Sequence, residues 1–413
     1  MTASDTASPA APEAGSDTLV IGLVGLAHML SHFYQIALGP LFPLLRDEFS
    51  VSYTALGLII SVFYGVSGAC QAFVGILVDR YGGDRLMLFG ITTMATSVLL
   101  MGLAPSYWVL LPLAVTAALG NCVFHPADLA ILTAKIRPQR LGRAYGIHGF
   151  GGTCGYFLSP IVIYYGVASF AGWRAGLIVA GSLGLIAAAV VFRLRDALRM
   201  PTGGTVGGDA LPSLAFYGRL ITNLPLMAAF AYFALVAGAG NGVQNFSVTA
   251  LVEIYHAPLY LAAAGLTAYL GGSAVGILAG GELADRVPRH ALIASSGLAV
   301  GAAAMSAVAF LPLPMEAIIP LLAVGGFCYG CTGPSRDILV RGATPPGAAG
   351  KVFGFVYSGL DLGSSLGPLL FGWLMDGGRF RGVFIAIAAM YLLGILTVLQ
   401  LKRGRKAAPA AAD

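Results

Sequence analysis

Apolar runs of about twenty residues recur along the whole chain, separated by short stretches rich in charge, glycine or proline. A run of that length crosses a hydrocarbon core of roughly 30 Å as a helix. Reading the runs between their breaks predicts twelve helices, at 18–44, 54–78, 86–104, 107–134, 141–166, 172–193, 222–252, 259–283, 291–311, 315–340, 350–376 and 380–401. Inside a bilayer a helix satisfies its own backbone hydrogen bonds, which an open sheet cannot do. The pattern therefore predicts an all-α polytopic membrane protein.

The runs repeat. GILVDRYGGDR at 75–85, after the second helix, is echoed by GELADRVPRH at 281–290, after the eighth, so that Asp79 and Asp285 stand 206 residues apart. GRAYGIHGFGGTCGYFLSP from Gly142 aligns with GKVFGFVYSGLDLGSSLGP from Gly350 at an offset of 208, which pairs Gly146 with Gly354, Gly151 with Gly359, Gly155 with Gly363 and Pro160 with Pro368. Two six-helix bundles related along the chain follow, at 18–193 and 222–401, and such parallel repeats place a binding site near the midplane between them. Residues 194–221 mix basic residues with glycine and proline and read as a linker on the cytoplasmic side. Residues 1–17, rich in Ala, Ser, Thr and Pro and free of Lys and Arg, read as a disordered cytoplasmic tail and not as a signal peptide, and 402–413 as a second tail.

Composition agrees with lipid as the solvent: 57% of the residues are hydrophobic, 10% are charged, and the mean hydropathy is +0.84. The 57 glycines suit helices that approach closely without a hydrophobic drive between them. The net charge of +5 is explained by loop bias and not by a nucleic-acid partner, because 18 Lys and Arg fall in the loops on the N-terminal side and only Arg46, Arg174, Arg379 and Arg381 on the other. That asymmetry predicts both termini in the cytoplasm. Cys70, Cys122, Cys154, Cys328 and Cys331 all lie in apolar runs, so no disulfide framework is expected, and the C-x-x-C of the last two reads as helix packing.

On these residues the chain resembles the major facilitator superfamily over 18–401, since Gly75–Arg85 matches that family's loop between helices two and three. The resemblance implies the major facilitator fold, a monomer in a bacterial-type inner membrane, and an ionic latch at the cytoplasmic gate carried by Asp79 and Arg80, with Arg85 closing the motif. Asp84 stands where a basic residue is usual, which predicts a weaker latch. H-x-x-x-H in helix one, with VFHPAD at Val123–Asp128 in helix four, is most similar to the fosmidomycin-resistance-like efflux branch.

An ionised side chain at the bilayer centre costs about 2.5–3.5 kcal/mol on insertion scales, so each intramembrane polar group is a candidate. His28 and His32 share a helix face with Gln35 and offer a coupling proton site, a ligand set for a cation or a substrate carboxyl group, or structural hydrogen bonds. Asp361, whose repeat partner is Thr153, is the deepest carboxyl group and suits proton exchange. Asn241, Gln244 and Asn245 cluster beside Gly238, Gly240 and Gly242, which predicts a broken helix with substrate contacts. Asn121, His125 and Asp128 in helix four, and Arg336 and Asp337 in helix ten, approach the cytoplasmic ends. With Asp285 and Arg286 they are expected in ion pairs that close the gate; Arg336, if it faces the cavity, would favour an anion. His148 belongs with the same group.

No nucleotide-binding, zinc-site or nucleophile-elbow pattern is present, so the sequence points away from an enzyme and names no cofactor beyond a proton gradient. The expectation is a secondary transporter exporting a small organic compound, a drug or metabolite, by alternating access with proton antiport. The alternatives are uptake of a small organic anion, a metal-cation carrier using His28 and His32, and a non-transporting membrane sensor.

Overall fold

The twelve apolar runs become helices because nothing else satisfies a backbone in lipid. The structure, a computed structural model, describes residues 14–200, 221–343 and 349–407, and among these there is no strand. The membrane-length helices are α1 (Ala14–Gln35), α2 (Tyr53–Tyr81), α3 (Gly83–Gly102), α4 (Tyr107–Asn121, continued by Phe124–Lys135), α5 (Pro138–Pro160), α6 (Ser169–Leu194), α7 (Leu224–Asn241), α8 (Leu259–Arg286), α9 (His290–Phe310), α10 (Met315–Ala343), α11 (Ala349–Asp376) and α12 (Phe380–Ala407). The all-helical polytopic class expected from the sequence is the class observed.

Local chemistry fixes the boundaries. Ser52 accepts a hydrogen bond from the Ala55 amide at 3.1 Å and opens α2, and Asn223 does the same for α7 through Leu226 at 3.2 Å. Gly82, with φ of 89°, turns the chain between α2 and α3 in a conformation that side chains disfavour. Asp84 then falls, buried, in the first turn of α3, where the positive end of the helix dipole favours a carboxylate. This local role accounts for an acid at a position where the family motif is usually basic.

Three ends differ from expectation. Helix α1 begins at Ala14, so the last residues of the expected tail are helical. Asp17 in that first turn is buried and paired with Arg137 at 2.9 Å and Arg140 at 3.6 Å, which ties the start of α1 to the start of α5. Helix α12 continues to Ala407, beyond the expected end at 401, and Arg195–Leu198 forms a short 3-10 turn at the start of the linker. Most of the linker, and the terminal stretches 1–13 and 408–413, lie outside the described residues.

The repeat glycines explain how the helices of each half meet. Gly151 and Gly155 of α5 pack on the backbone carbonyls of Gly25 and Met29 in α1, and Gly359 and Gly363 of α11 pack on those of Phe230 and Ala234 in α7. A side chain at these positions would enter the neighbouring backbone. The two halves then face each other along α2 against α11 and α5 against α8. Gly155→Ala is expected to lower the melting temperature of the detergent-purified protein, overpacking costing about 1–3 kcal/mol. Gly146→Ala, at a repeat position with nothing within 4 Å, is expected to leave it unchanged or raise it, as scanning fluorimetry on the two variants would show.

Candidate functional site

Four of the chain's six histidines come together inside the first half. His28 and His32 stand one turn apart on α1; His125 and Asp128 project from the second segment of α4; His148 comes from α5. The rings of His28 and His148 stack at 3.7 Å, and His28 lies 4.5 Å from His32 and 5.1 Å from His125 between ring centroids. Asp128 is fully buried beneath them. His148 Nε2 makes a hydrogen bond of 3.1 Å to Asp128 Oδ2, and His28 Nδ1 lies 3.2 Å from the same oxygen without the alignment of a hydrogen bond. Asp128 Oδ1 and His32 Nδ1 are likewise buried without partners. His125 is exposed and His32 half-buried, so the cluster opens on their side.

Glycine makes the approach possible. A Cβ at Gly152 of α5 would stand 2.9 Å from His28 Nε2 and 3.0 Å from His32 Cε1. One turn beyond, the ring of Tyr156 lies tilted against His32 at 4.5 Å between centroids and begins a polar chain. Tyr156 and Tyr64 donate to Gln35 Oε1 at 2.6 and 3.2 Å, Gln35 Nε2 donates to Asn121 Oδ1 at 3.0 Å, and Asn121 Nδ2 donates to Ser67 Oγ at 2.8 Å. Helices α1, α2, α4 and α5 are thereby joined by a continuous set of half-buried hydrogen bonds.

Asp361 occupies the seam between the halves. Its carboxyl group sits where Gly68 of α2 has no side chain: a Cβ there would lie 2.7 Å from Asp361 Cβ and 2.8 Å from Cγ. Among the described residues no cation pairs with it. Arg336 of α10 stacks over Phe233 at 4.6 Å, bonds its neighbour Asp337 at 2.9 Å and remains 21% exposed, while Tyr357 donates to Asp337 at 3.2 Å.

The expected amide site in helix seven is placed differently. A π segment, Gly242–Phe246, does interrupt the helix, and Ser247–Tyr255 continues it. Asn241 and Asn245 are nonetheless buried: Asn241 donates to Ser364 at 3.0 Å, and Asn245 donates to Asn241 at 3.1 Å. Gln244 and Asn245 pack on Gly39, at the end of the bundle with few Lys and Arg. They belong to a closed contact because the widened turn brings this helix against residues 39–41 of the other half.

That charge-poor end is locked by carboxylates the sequence did not single out. Asp376, at the last turn of α11, accepts from the amides of Tyr53 and Thr54 at 2.7 and 3.0 Å, capping α2 across the seam. Glu253 accepts from Tyr53 Oη at 2.6 Å and pairs with Arg46 at 3.7 Å. At the opposite, basic end no ion pair among the described residues joins the halves. Asp79, Arg80, Arg85, Asp285 and Arg286 are exposed there; Arg80 stacks on Tyr81, and Arg286 pairs with Glu282 in its own helix. The expected gate pairs are thus not made in this conformation, and His125, Asp128 and Asp337 serve contacts within their own halves.

The family model described as Major Facilitator Superfamily matches residues 24–263 and 230–413. The chain is similar to the fosmidomycin resistance protein of Escherichia coli, 25% identical with 96% of this chain and 98% of that protein covered. It is also similar to the multidrug resistance protein MdtG of Enterobacter lignolyticus, 27% identical with 90% of each covered. The fold resembles that of a bacterial homolog of the human lysosomal transporter Spinster in an inward-facing, unoccupied conformation, with a TM-score of 0.73, 15% identity and coverage of 96% and 98%.

The lock makes a prediction. A hydrogen bond to a charged group contributes about 1.5–3 kcal/mol, so Asp376→Ala is expected to shift the population toward opening at the charge-poor end by roughly tenfold or more. Distance measurements between spin labels at Leu58 and Leu369 would report it as a new, longer population; an unchanged distribution would mean the cap carries no weight.

Proposed function

Because the chain belongs to the Major Facilitator Superfamily, and is therefore an integral membrane transporter and not an enzyme, we propose that it is a proton-coupled exporter of small organic compounds working by alternating access. The observation that carries this reading is Asp361, a carboxyl group with no cation partner among the described residues, pressed into the α2–α11 seam of a molecule closed at one end. Both termini lie in the cytoplasm of a bacterial inner membrane on this reading, given the excess of Lys and Arg on the basic end. The described state is then open inward. The names of the relatives, two of which are resistance proteins, support export.

The chemistry of the cycle follows from the seam. Protonated, Asp361 is a neutral group that packs on Gly68, and the lock at Asp376 and Glu253 holds. Ionised in the same place, it carries a cost of about 2.5–3.5 kcal/mol, enough to change the balance of two conformations roughly a hundredfold. Loss of the proton to the cytoplasm therefore favours opening of the seam to the outside, where the carboxyl group is hydrated and can be reloaded. A proton moves inward for each such turn while substrate, held between the histidine wall of one half and the Arg336 and Tyr357 wall of the other, moves outward. One chain supplies both walls.

Uptake of an organic anion is a second reading, favoured by the partial exposure of Arg336. Proteoliposomes containing the purified protein, a pH-sensitive dye and a panel of cationic, neutral and anionic compounds separate the two. Export predicts proton flux triggered by cationic or neutral compounds, abolished in Asp361→Asn while compound binding persists, and weakened in His32→Ala. Flux confined to anions and lost in Arg336→Ala would favour uptake; flux that survives Asp361→Asn would remove the seam carboxyl from the mechanism.

A further inference from the structure

The histidine cluster holds more nitrogen and oxygen donors than its hydrogen bonds employ. His28 Nδ1, Asp128 Oδ2 and His148 Nε2 lie within 4.8 Å of one another, and all three residues are buried. The two imidazoles face the same carboxylate oxygen at 3.2 and 3.1 Å. Ligand atoms bound at about 2.0–2.1 Å around a tetrahedral zinc ion stand about 3.3 Å apart, so a cation can enter this triangle with small adjustments of three side chains. His28 Nδ1 is buried without a hydrogen-bond partner among the described residues, a cost a bound cation would remove.

We propose that His28, Asp128 and His148 form a binding site for a divalent first-row transition-metal cation of the zinc class. Two imidazole nitrogens and one carboxylate oxygen select such an ion over calcium or magnesium, which take oxygen ligands. Three protein ligands leave a fourth position, open toward His125 and His32, through which the ion reaches the site. The three ligands come from α1, α4 and α5, so occupancy ties together three helices of one half without bridging to the other. The ligand pair differs from the His28 and His32 pairing that sequence spacing suggests. His32 shares a helix face with His28, yet its ring packs against Tyr156, whereas His148 converges on the carboxylate. The three ligand atoms belong to the histidine wall and do not include Asp361, so the presence of the site can be tested without a proton gradient or a transported compound.

The test is direct binding, with no gradient and no transported compound. Tag-free, chelator-treated protein in detergent is titrated with Zn2+ by calorimetry, and with Co2+ while the visible absorption is followed. Saturable one-to-one Zn2+ binding and a Co2+ spectrum of four-coordinate nitrogen and oxygen ligation are expected. Affinity is expected to fall by about tenfold or more in His148→Ala and Asp128→Asn, and to be unchanged in His256→Ala and His290→Ala. Mg2+ is expected not to compete. Should a cluster variant lose monodispersity, the Co2+ spectrum of the unsubstituted protein decides. Absence of saturable binding, a six-coordinate all-oxygen spectrum, or equal affinity in the cluster and control variants would overturn the proposal. Proton flux in the liposome assay would be untouched by that failure, so the two readings stand or fall separately.

Discussion

A backbone amide or carbonyl inside hydrocarbon has no water to bond, and everything in this molecule follows from meeting that constraint. Helices satisfy it alone, but helices in lipid associate only if their surfaces come close enough for dispersion and weak contacts to act. The glycines at 151 and 155, and again at 359 and 363, provide that approach by placing one backbone against another. Irregular backbone is accepted only where protein covers it. The π segment Gly242–Phe246 is packed on Gly39 and on the ring of Phe371, so the carbonyls freed by its wider turn are shielded from lipid.

The repeat that builds both halves also shows where they diverged. The glycine framework is kept at constant offset, yet His148 corresponds to Val356, Tyr156 to Ser364, and Asp361 to Thr153. One half has concentrated imidazoles around a buried carboxylate; the other has one guanidinium on an aromatic face, with tyrosines near it. Two walls of different chemistry on a common frame can hold different parts of one substrate. They can also be altered separately, because the residues that set the helix crossings are not those that face the walls.

Much of this was legible in the sequence, for identifiable reasons. Apolar runs mark spans because lipid imposes one length and one composition, and the repeat glycines marked the crossings because only glycine fits there. The π break in helix seven was visible as three glycines among amides. What could not be read was partnership between distant segments. Asn241 and Asn245 looked like cavity residues, but their bonds go to Ser364 and to each other, and spacing within one helix says nothing of that. His148 had a signal that was available but not used: four histidines, each interrupting an apolar run of the first half, are costly individually and much less so together. Asp376 and Glu253 gave no signal, since a carboxylate at a helix end resembles any surface charge until the helix it caps across the seam is known.

The polar wall and the seam are joined through α2. Tyr64 and Ser67 reach inward to Gln35 and Asn121, and Gly68, the next residue, receives Asp361 from α11. A helix is stiff over four residues, so when α2 moves along α11 the bonds carry Gln35 and the rest of its half with it, and those bonds cannot rearrange without moving the surface on which Asp361 rests. Gln35 in turn is held by Tyr156, whose ring lies on His32. The contacts therefore place the histidine wall and the seam carboxyl on one rigid element. A change of charge at the seam is then resisted, or assisted, by whatever occupies the wall, which is the physical requirement for binding and gating to be linked.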